Sequence, residues 1–541
     1  MVTDAQRHEM ILNELKELNR VEDYDCILSC LGPPQNITTI ANPGRFKGVK
    51  VGIIGAGAAG LAAAFELRKL GFDIKIFEAT NRIGGRIRTY YFDKSGKYYG
   101  ELGPMRIPVS HETTWHYINM FKLTTTPFIQ SSPEAFKYVR GVRVRNDPNG
   151  EEVSKYIYPQ FPMANWETKV PWTDLFDYVG EGLLLTIPPE IRKELLQTKP
   201  KYDSIIEFWD YTSTRKAMEM LKLSDGAIDM LSSVDPMTFG FWYDSHIEIL
   251  NEYMGLVFSN LYKVVGGFSR LPFAFYNSLT SPNPTEYGNI SNSDLGNVTF
   301  KLNHPVEGIY QGSDNSVILR SRNTDSKKLK DESFDYVICA IPFSALRTVD
   351  TFPLFSQKKF QAIRETYYVN AQKTLLLCNK RFWQEDNPSG RIVGGGSFTD
   401  LPIASIWYPD YAPNDTPGVL LASYNVSKDA DRIGNLPIER RVDLVMRQVE
   451  EVHGLRPGYL DSIVDGYASI NWRSEPYELG CFLYFQPEQK RLFSYSMITP
   501  EYDNRLFFAG EHTSNSHGWQ NGAYQTGMIA ANDIATECLR R

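Results

Sequence analysis

Apolar residues follow a strand rhythm and then a helix rhythm near the start of the chain. Val49, Val51, Ile53 and Ile54 form a short apolar run that breaks at Gly55-Ala56-Gly57-Ala58-Ala59-Gly60. A helical pattern follows over 61–70, then a second apolar run over 74–77, closed by Glu78 and Ala79. Strand, glycine turn, helix and strand make a dinucleotide-binding βαβ unit. Gly55 allows the tight turn, Gly57 lets the backbone approach a pyrophosphate, and Gly60 lets helix and strand pack closely. The helix N-terminus offers unpaired N–H groups and a positive dipole end to phosphates. Glu78 can hydrogen-bond ribose hydroxyls and would repel a 2′-phosphate, which disfavours NADP.

The rest of the chain divides by pattern. Residues 1–48 read as a leader: a surface helix in MVTDAQRHEMILNELKELNR, then a loop. From about 110 to 255 the pattern is helical with aromatic interruptions, for example over 205–223 and 224–233. Strand-like runs return at 298–302, with Val306 after them, and at 334–342. The stretches KTLLLCNKRFW, ASIWYP and GVLLASY predict a sheet within 350–460. Near the end, Arg505–Thr513 is a strand running into a turn, and His517–Ala523 starts a helix that continues through 524–535.

At 541 residues the chain exceeds one core and suggests two or three domains. A hydrophobic content of 42% with 13% aromatics describes an ordinary globular protein with an aromatic-rich core. The net charge of −7, with no basic run, excludes nucleic acid as a partner. No apolar segment reaches the roughly 18–20 residues of a membrane span, and the start lacks an apolar signal core. Six scattered cysteines imply reduced thiols, no metal site and a cytoplasmic location.

Candidate chemistry falls on a few polar residues in apolar or glycine-rich settings. Arg82-Ile-Gly-Gly-Arg86 suits a loop wrapping a diphosphate, Gly85 allowing close approach and the guanidiniums forking onto oxygens. In Tyr99-Gly-Glu-Leu-Gly-Pro-Met-Arg-Ile-Pro108, Arg106 sits between turns and apolar neighbours, which half-buries its guanidinium. A desolvated Arg needs a carboxylate: a structural Asp or Glu, or an acidic substrate. Lys373 leads into an apolar strand, where burying an ammonium costs several kcal/mol unless it snorkels.

Taken together, GAGAAG…E, RIGGR and GELGPMRIP resemble the flavin amine oxidase superfamily, and within it the L-amino acid oxidases. The resemblance covers nearly everything after residue 49. It continues through Val264–Pro272, the Trp472-Arg-Ser-Glu-Pro-Tyr477 stretch and Arg505–Thr513. It implies an α/β fold: a Rossmann-type FAD-binding domain from 49–110, 260–349 and 465–541, with a discontinuous substrate-binding domain of mixed sheet plus helices from 111–259 and 350–464. FAD would contact Gly55, Gly57, Ala58, Ala59, Gly60, Glu78 and Ala79, then Arg82, Gly85 and Arg86. Further contacts would come from Gly103, Pro104, Met105 and Arg106, from Val306, Trp472 and Tyr477, and from Gly510, Glu511, Gly518 and Trp519.

The same resemblance implies that Arg106 clamps a substrate α-carboxylate and that Lys373 holds a water beside the flavin. Tyr424 would add a hydroxyl bond to the carboxylate, although one extra residue near Ser423 leaves its register open. Trp519 would wall the substrate cavity and the Gly518 carbonyl would accept from the amino group. The implied reaction is FAD-dependent oxidative deamination of an L-amino acid by O₂, giving a 2-oxo acid, ammonia and H₂O₂, in a dimer or larger homo-oligomer. The alternatives are an L-amino acid 2-monooxygenase and a non-catalytic flavoprotein. Cys481 is either a small buried residue or, as in the monoamine oxidases, a thioether link to the flavin. His246 is either a packing histidine or a catalytic aid. The side-chain preference stays open.

Overall fold

The computed structural model describes residues 2–385, 390–411 and 416–541. Its first layer is a parallel sheet of five strands in the order Val298–Lys301, Asp73–Phe77, Lys50–Ile54, Tyr336–Cys339 and Leu506–Phe508. Val51 and Ile53 on the middle strand are fully buried, as parallel strands covered on both faces require. The glycine turn feeds the helix Ala58–Lys69, every residue of which is buried. A Cβ on Gly60 would lie 2.1 Å from the Gly55 carbonyl oxygen, so helix and strand meet at a distance only glycine permits. The last helix, Gln520–Arg540, crosses the first just as closely. A Cβ on Gly527 would lie 2.2 Å from the Ala59 oxygen.

The second layer is a seven-stranded sheet in the order Val464–Asn471, Ala371–Cys378, Gly418–Val426, Ser405–Trp407, Gly396–Thr399, Phe136–Val139 and Val142–Arg145. The strand Val464–Asn471 pairs antiparallel with Ala371–Cys378 along its length. The boundary expected between 464 and 465 therefore leaves only Val464 with its sheet and cuts residues 465–471 away from it; by pairing, the strand goes with 350–464. The extra residue near Ser423 is absorbed by a β-bulge. Thr374 pairs with Ser423 and Leu375 with Leu421, leaving Ala422 unpaired, and Lys373 then stands opposite Tyr424.

Helices fill much of 111–259. The expected helix over 205–223 is two helices, Ser204–Tyr211 and Thr214–Met220, because the Ser213 side chain accepts from Lys216 N and starts a new N-terminus. The leader is likewise more than one surface helix and a loop. Asp4–Glu17 opens with a capping box between Thr3 and Gln6 and buries Ile11 and Leu15. Its Arg7, 1% exposed, donates to the Val109 carbonyl and pairs with Glu112. A second helix, Tyr24–Leu31, ends against the last helix, where Asn521 and Gln525 donate to the carbonyls of Leu31 and Cys30. Those bonds satisfy the carbonyls that a helix C-terminus leaves open. Among the described residues no helix is long and apolar enough to cross a membrane.

Candidate active site

Two helix N-termini and the edge of the parallel sheet converge on a cavity of about 650 Å³. From the glycine turn come Gly55, Gly57, Ala58 and Ala59, and from the end of the second strand Glu78 and Ala79. Gly85, Arg86, Gly103 and Pro104 form another wall, with Val306, Trp472 and Tyr477 beside them. Gly510, Glu511, Gly518 and Trp519 close it from the C-terminal strand and helix. The flavin dinucleotide expected from the sequence fits on two observations. A Cβ on Gly57 would meet nothing nearer than the Gly85 Cα at 4.0 Å, so the helix N-terminus is open to a phosphate. Gln520, at the start of the last helix, is 8% exposed, and neither polar atom of its amide has a partner in the protein.

Polar groups around this cavity hold one another in place. The Glu78 carboxylate accepts from Ala56 N at 3.0 Å and from Thr80 N at 2.9 Å, which fixes it at the strand end with lone pairs to spare. Arg86 donates to the Cys481 carbonyl and to Glu511, both at 2.7 Å, and Glu511 also accepts from Leu483 N and Gly518 N. Arg82 does not face the cavity. Its guanidinium donates to the carbonyls of Ile83, Gly85 and Ile87, so it braces the loop from behind. Gly60 also stays out of the cavity, since it is the packing contact with Gly55. Cys481 lines the cavity, and burial pushes its thiol up to about 12, which keeps the unreactive protonated form.

A second cavity, about 550 Å³, opens on the first through Gly103, Pro104, Lys373, Tyr424, Phe482, Gly518 and Trp519. Met105 and Arg106 line this second cavity rather than the first. The Arg106 guanidinium lies among aromatic rings, 5.3 Å from both Phe258 and Trp407 and 6.0 Å from Trp519. It donates once, to Gln130 at 2.6 Å, and among the described residues no carboxylate forms an ion pair with it. Of the two partners its sequence setting allowed, the structural one is therefore missing.

Lys373 stands where the cavities meet. It is 4% exposed, donates to the Gly103 carbonyl at 2.7 Å and lies 4.3 Å from the Tyr424 ring centre. Burial pulls its ammonium down to about 8, partly offset by Glu101, so the amine can give up a proton near neutral pH. Glu101 is itself pushed up to about 7 by burial, while Phe268 N and Thr89 donate to it. His246 lines neither cavity. It is fully buried, 3.3 Å from the Thr214 hydroxyl and packed on Trp209, and burial lowers it to about 3.

Several residues of this second cavity are not marked as site residues by the sequence. His517 stands at its wall, with Nδ1 2.9 Å from Glu248. Tyr484, Trp407, Glu252 and Gln130 line it too, and so do Glu14 and Leu18 of the leader. His517 and Leu18 lie in turns, but the others sit in no glycine motif or turn, so no local pattern marks them. The i,i+4 pair Glu248 and Glu252 reads along the chain as one solvated helix face.

Comparison with known proteins agrees with this geometry. A family model described as flavin containing amine oxidoreductase matches residues 58–535. Curated relatives include an L-amino-acid oxidase of Sistrurus catenatus edwardsii, 29% identical over 526 residues, covering 96% of this chain and 92% of the relative. Another, the L-amino-acid oxidase of Vipera ammodytes ammodytes, is 29% identical over 524 residues, covering 96% and 98%. Among solved structures, putrescine oxidase bound to putrescine superposes with a TM-score of 0.65 at 18% identity, over 91% of this chain and 99% of that one. That likeness shows the shared fold.

Proposed function

This chain belongs to the flavin containing amine oxidoreductase family, and we propose that within it the protein is an FAD-dependent L-amino acid oxidase. The observation that carries this reading is Arg106: a desolvated guanidinium fork in the second cavity, beside Lys373 and Tyr424, with no carboxylate paired to it among the described residues. A simple amine would leave that charge unmatched, whereas an α-carboxylate pairs with it in two parallel N–H···O bonds. The curated relatives named L-amino-acid oxidase support the same reading.

Bound FAD supplies the two-electron acceptor and the route by which O₂ becomes H₂O₂. The protein's part is positioning and electrostatics. Arg106 fixes the carboxylate, with the Tyr424 hydroxyl as a second donor, and this orients the Cα–H toward the junction of the cavities. Trp519 walls the substrate off from bulk water, and the amino group faces Gly518 in its neutral form. Lys373, titrating near 8, holds a water at the junction and can take a proton from it as the imine is hydrolysed to the 2-oxo acid and ammonia. The assembly is a dimer or larger, which light scattering checks.

The test is an anaerobic visible spectrum of the purified yellow protein. L-amino acids should bleach it and D-amino acids should not. If amines alone bleach the flavin, the carboxylate reading is wrong.

A further inference from the structure

The second cavity has one cationic fork but several carboxyls. Glu252, on the helix His246–Met254, faces it together with Asp235, Asp177 and Glu181. One turn earlier on the same helix, Glu248 is matched: His517 lies 2.9 Å from it and Phe485 N donates to it at 3.0 Å. Glu252 has no cationic or backbone partner of this kind among the described residues; only the side chains of Trp519 and Tyr484 approach it. Burial pushes its carboxyl up to about 8 and Glu248 adds to the effect, while Arg106 acts against it by charge and the side chains of Trp519 and Tyr484 by their hydrogen-bond donors.

Two orphaned polar groups share this wall. The Tyr484 hydroxyl, on a side chain 2% exposed, completes no hydrogen bond in the protein although it stands near Glu252. One carboxylate oxygen of Asp235 is likewise buried without a partner. A hydroxyl left unsatisfied in an aromatic cavity costs about 1–3 kcal/mol, and an unpaired buried carboxylate costs more.

Binding of the substrate sharpens the imbalance. Once an α-carboxylate occupies Arg106, the cation that stabilises an ionised Glu252 is neutralised by the ligand. An aliphatic or aromatic side chain would then seal Glu252 into a dry cavity with only the neutral donors of Tyr484 and Trp519 near it and no counter-charge. An ammonium, with three donors and a positive charge, satisfies both.

We propose that this cavity selects L-amino acids whose side chains end in a cation, the charge being held by Glu252 with the Tyr484 hydroxyl beside it. The inference rests on the L-amino acid oxidase reading, and three probes separate the two. L-lysine carries both the α-carboxylate and a distal ammonium, L-norleucine lacks the ammonium, and cadaverine lacks the carboxylate. Anaerobic flavin reduction by each should give a kcat/KM for L-lysine at least about tenfold above L-norleucine and above cadaverine. In Glu252→Gln the lysine-to-norleucine ratio should fall toward one, with the visible spectrum confirming that FAD is held. If that variant does not hold FAD, Tyr484→Phe should lower the same ratio severalfold.

L-norleucine equal to or better than L-lysine in the native protein overturns the inference and leaves the oxidase reading standing. An unchanged ratio in a folded Glu252→Gln also overturns it, because Glu252 then serves Arg106 alone. Cadaverine better than L-lysine overturns the carboxylate reading while keeping the acidic wall. No reduction by any of the three overturns the inference, and L-leucine and L-phenylalanine then show whether the oxidase reading survives.

Discussion

Replacing Arg106 by Ala removes the guanidinium that, among the described residues, lines the second cavity and is available to an incoming carboxylate. Of its five N–H donors one bond goes to Gln130, so the rest of the fork is free for the substrate. The site is desolvated by the rings of Phe258, Trp407 and Trp519. Losing one partner of a buried, hydrogen-bonded charge pair costs about 2–5 kcal/mol. At about 1.4 kcal/mol per factor of ten, kcat/KM should fall roughly 30-fold to several thousand-fold. Arg106→Lys should lie between, since an ammonium keeps the charge but not the planar fork. The assay is stopped-flow flavin reduction against substrate concentration without oxygen. FAD should stay bound, because Arg106 lines the second cavity and not the first. An apparent KM unchanged in Arg106→Ala would refute the clamp, and loss of FAD would refute its placement.

Lys373→Met should slow one half-reaction selectively, read by comparing stopped-flow reduction with reoxidation by O₂; native rates in both would reject its role. Gly527→Ala would gain about 1 kcal/mol in an open helix, but here its Cβ would lie 2.2 Å from a backbone oxygen of the facing helix. It should therefore cost about 1–3 kcal/mol and weaken FAD binding, and a melting temperature at or above native would show that the helices can part. Glu252, raised from 4.5 to about 8 in the fold, binds a proton that the unfolded chain has already lost within that window. Native stability should therefore fall as pH rises from about 4.5 to 8, at up to about 1.4 kcal/mol per pH unit from this group. Thermal melts should show Glu252→Gln gaining on the native protein across that range, and a flat difference would contradict the buried acid. Acid precipitation should release all the yellow chromophore, given the protonated Cys481; chromophore retained in the pellet would mean a thioether.

Local chemistry along the chain determined the nucleotide half of this protein. The turn at 55–60 needs glycines wherever it occurs, and Glu78 lies at the end of its own strand, so the βαβ unit and much of the cofactor wall are legible within thirty residues. Arg106 was legible too, because glycine and proline turns beside apolar residues force its burial. What tertiary structure decided are the things that depend on distance across the fold. Arg82 and Arg86 look alike in sequence, yet one braces its own loop and the other reaches Glu511, far along the chain. The register of Tyr424 turned on a single bulged residue, visible only once Lys373 found its opposite number. The leader read as surface because half of its pattern is polar, while its buried Arg7 and Arg20 pair with Glu112 and Glu181 from other segments. Glu248 and Glu252 are equivalent along their helix, and only packing gives one a histidine and leaves the other facing the cavity. Backbone geometry is a property of neighbours in sequence, whereas burial, charge pairing and cavity shape belong to neighbours in space.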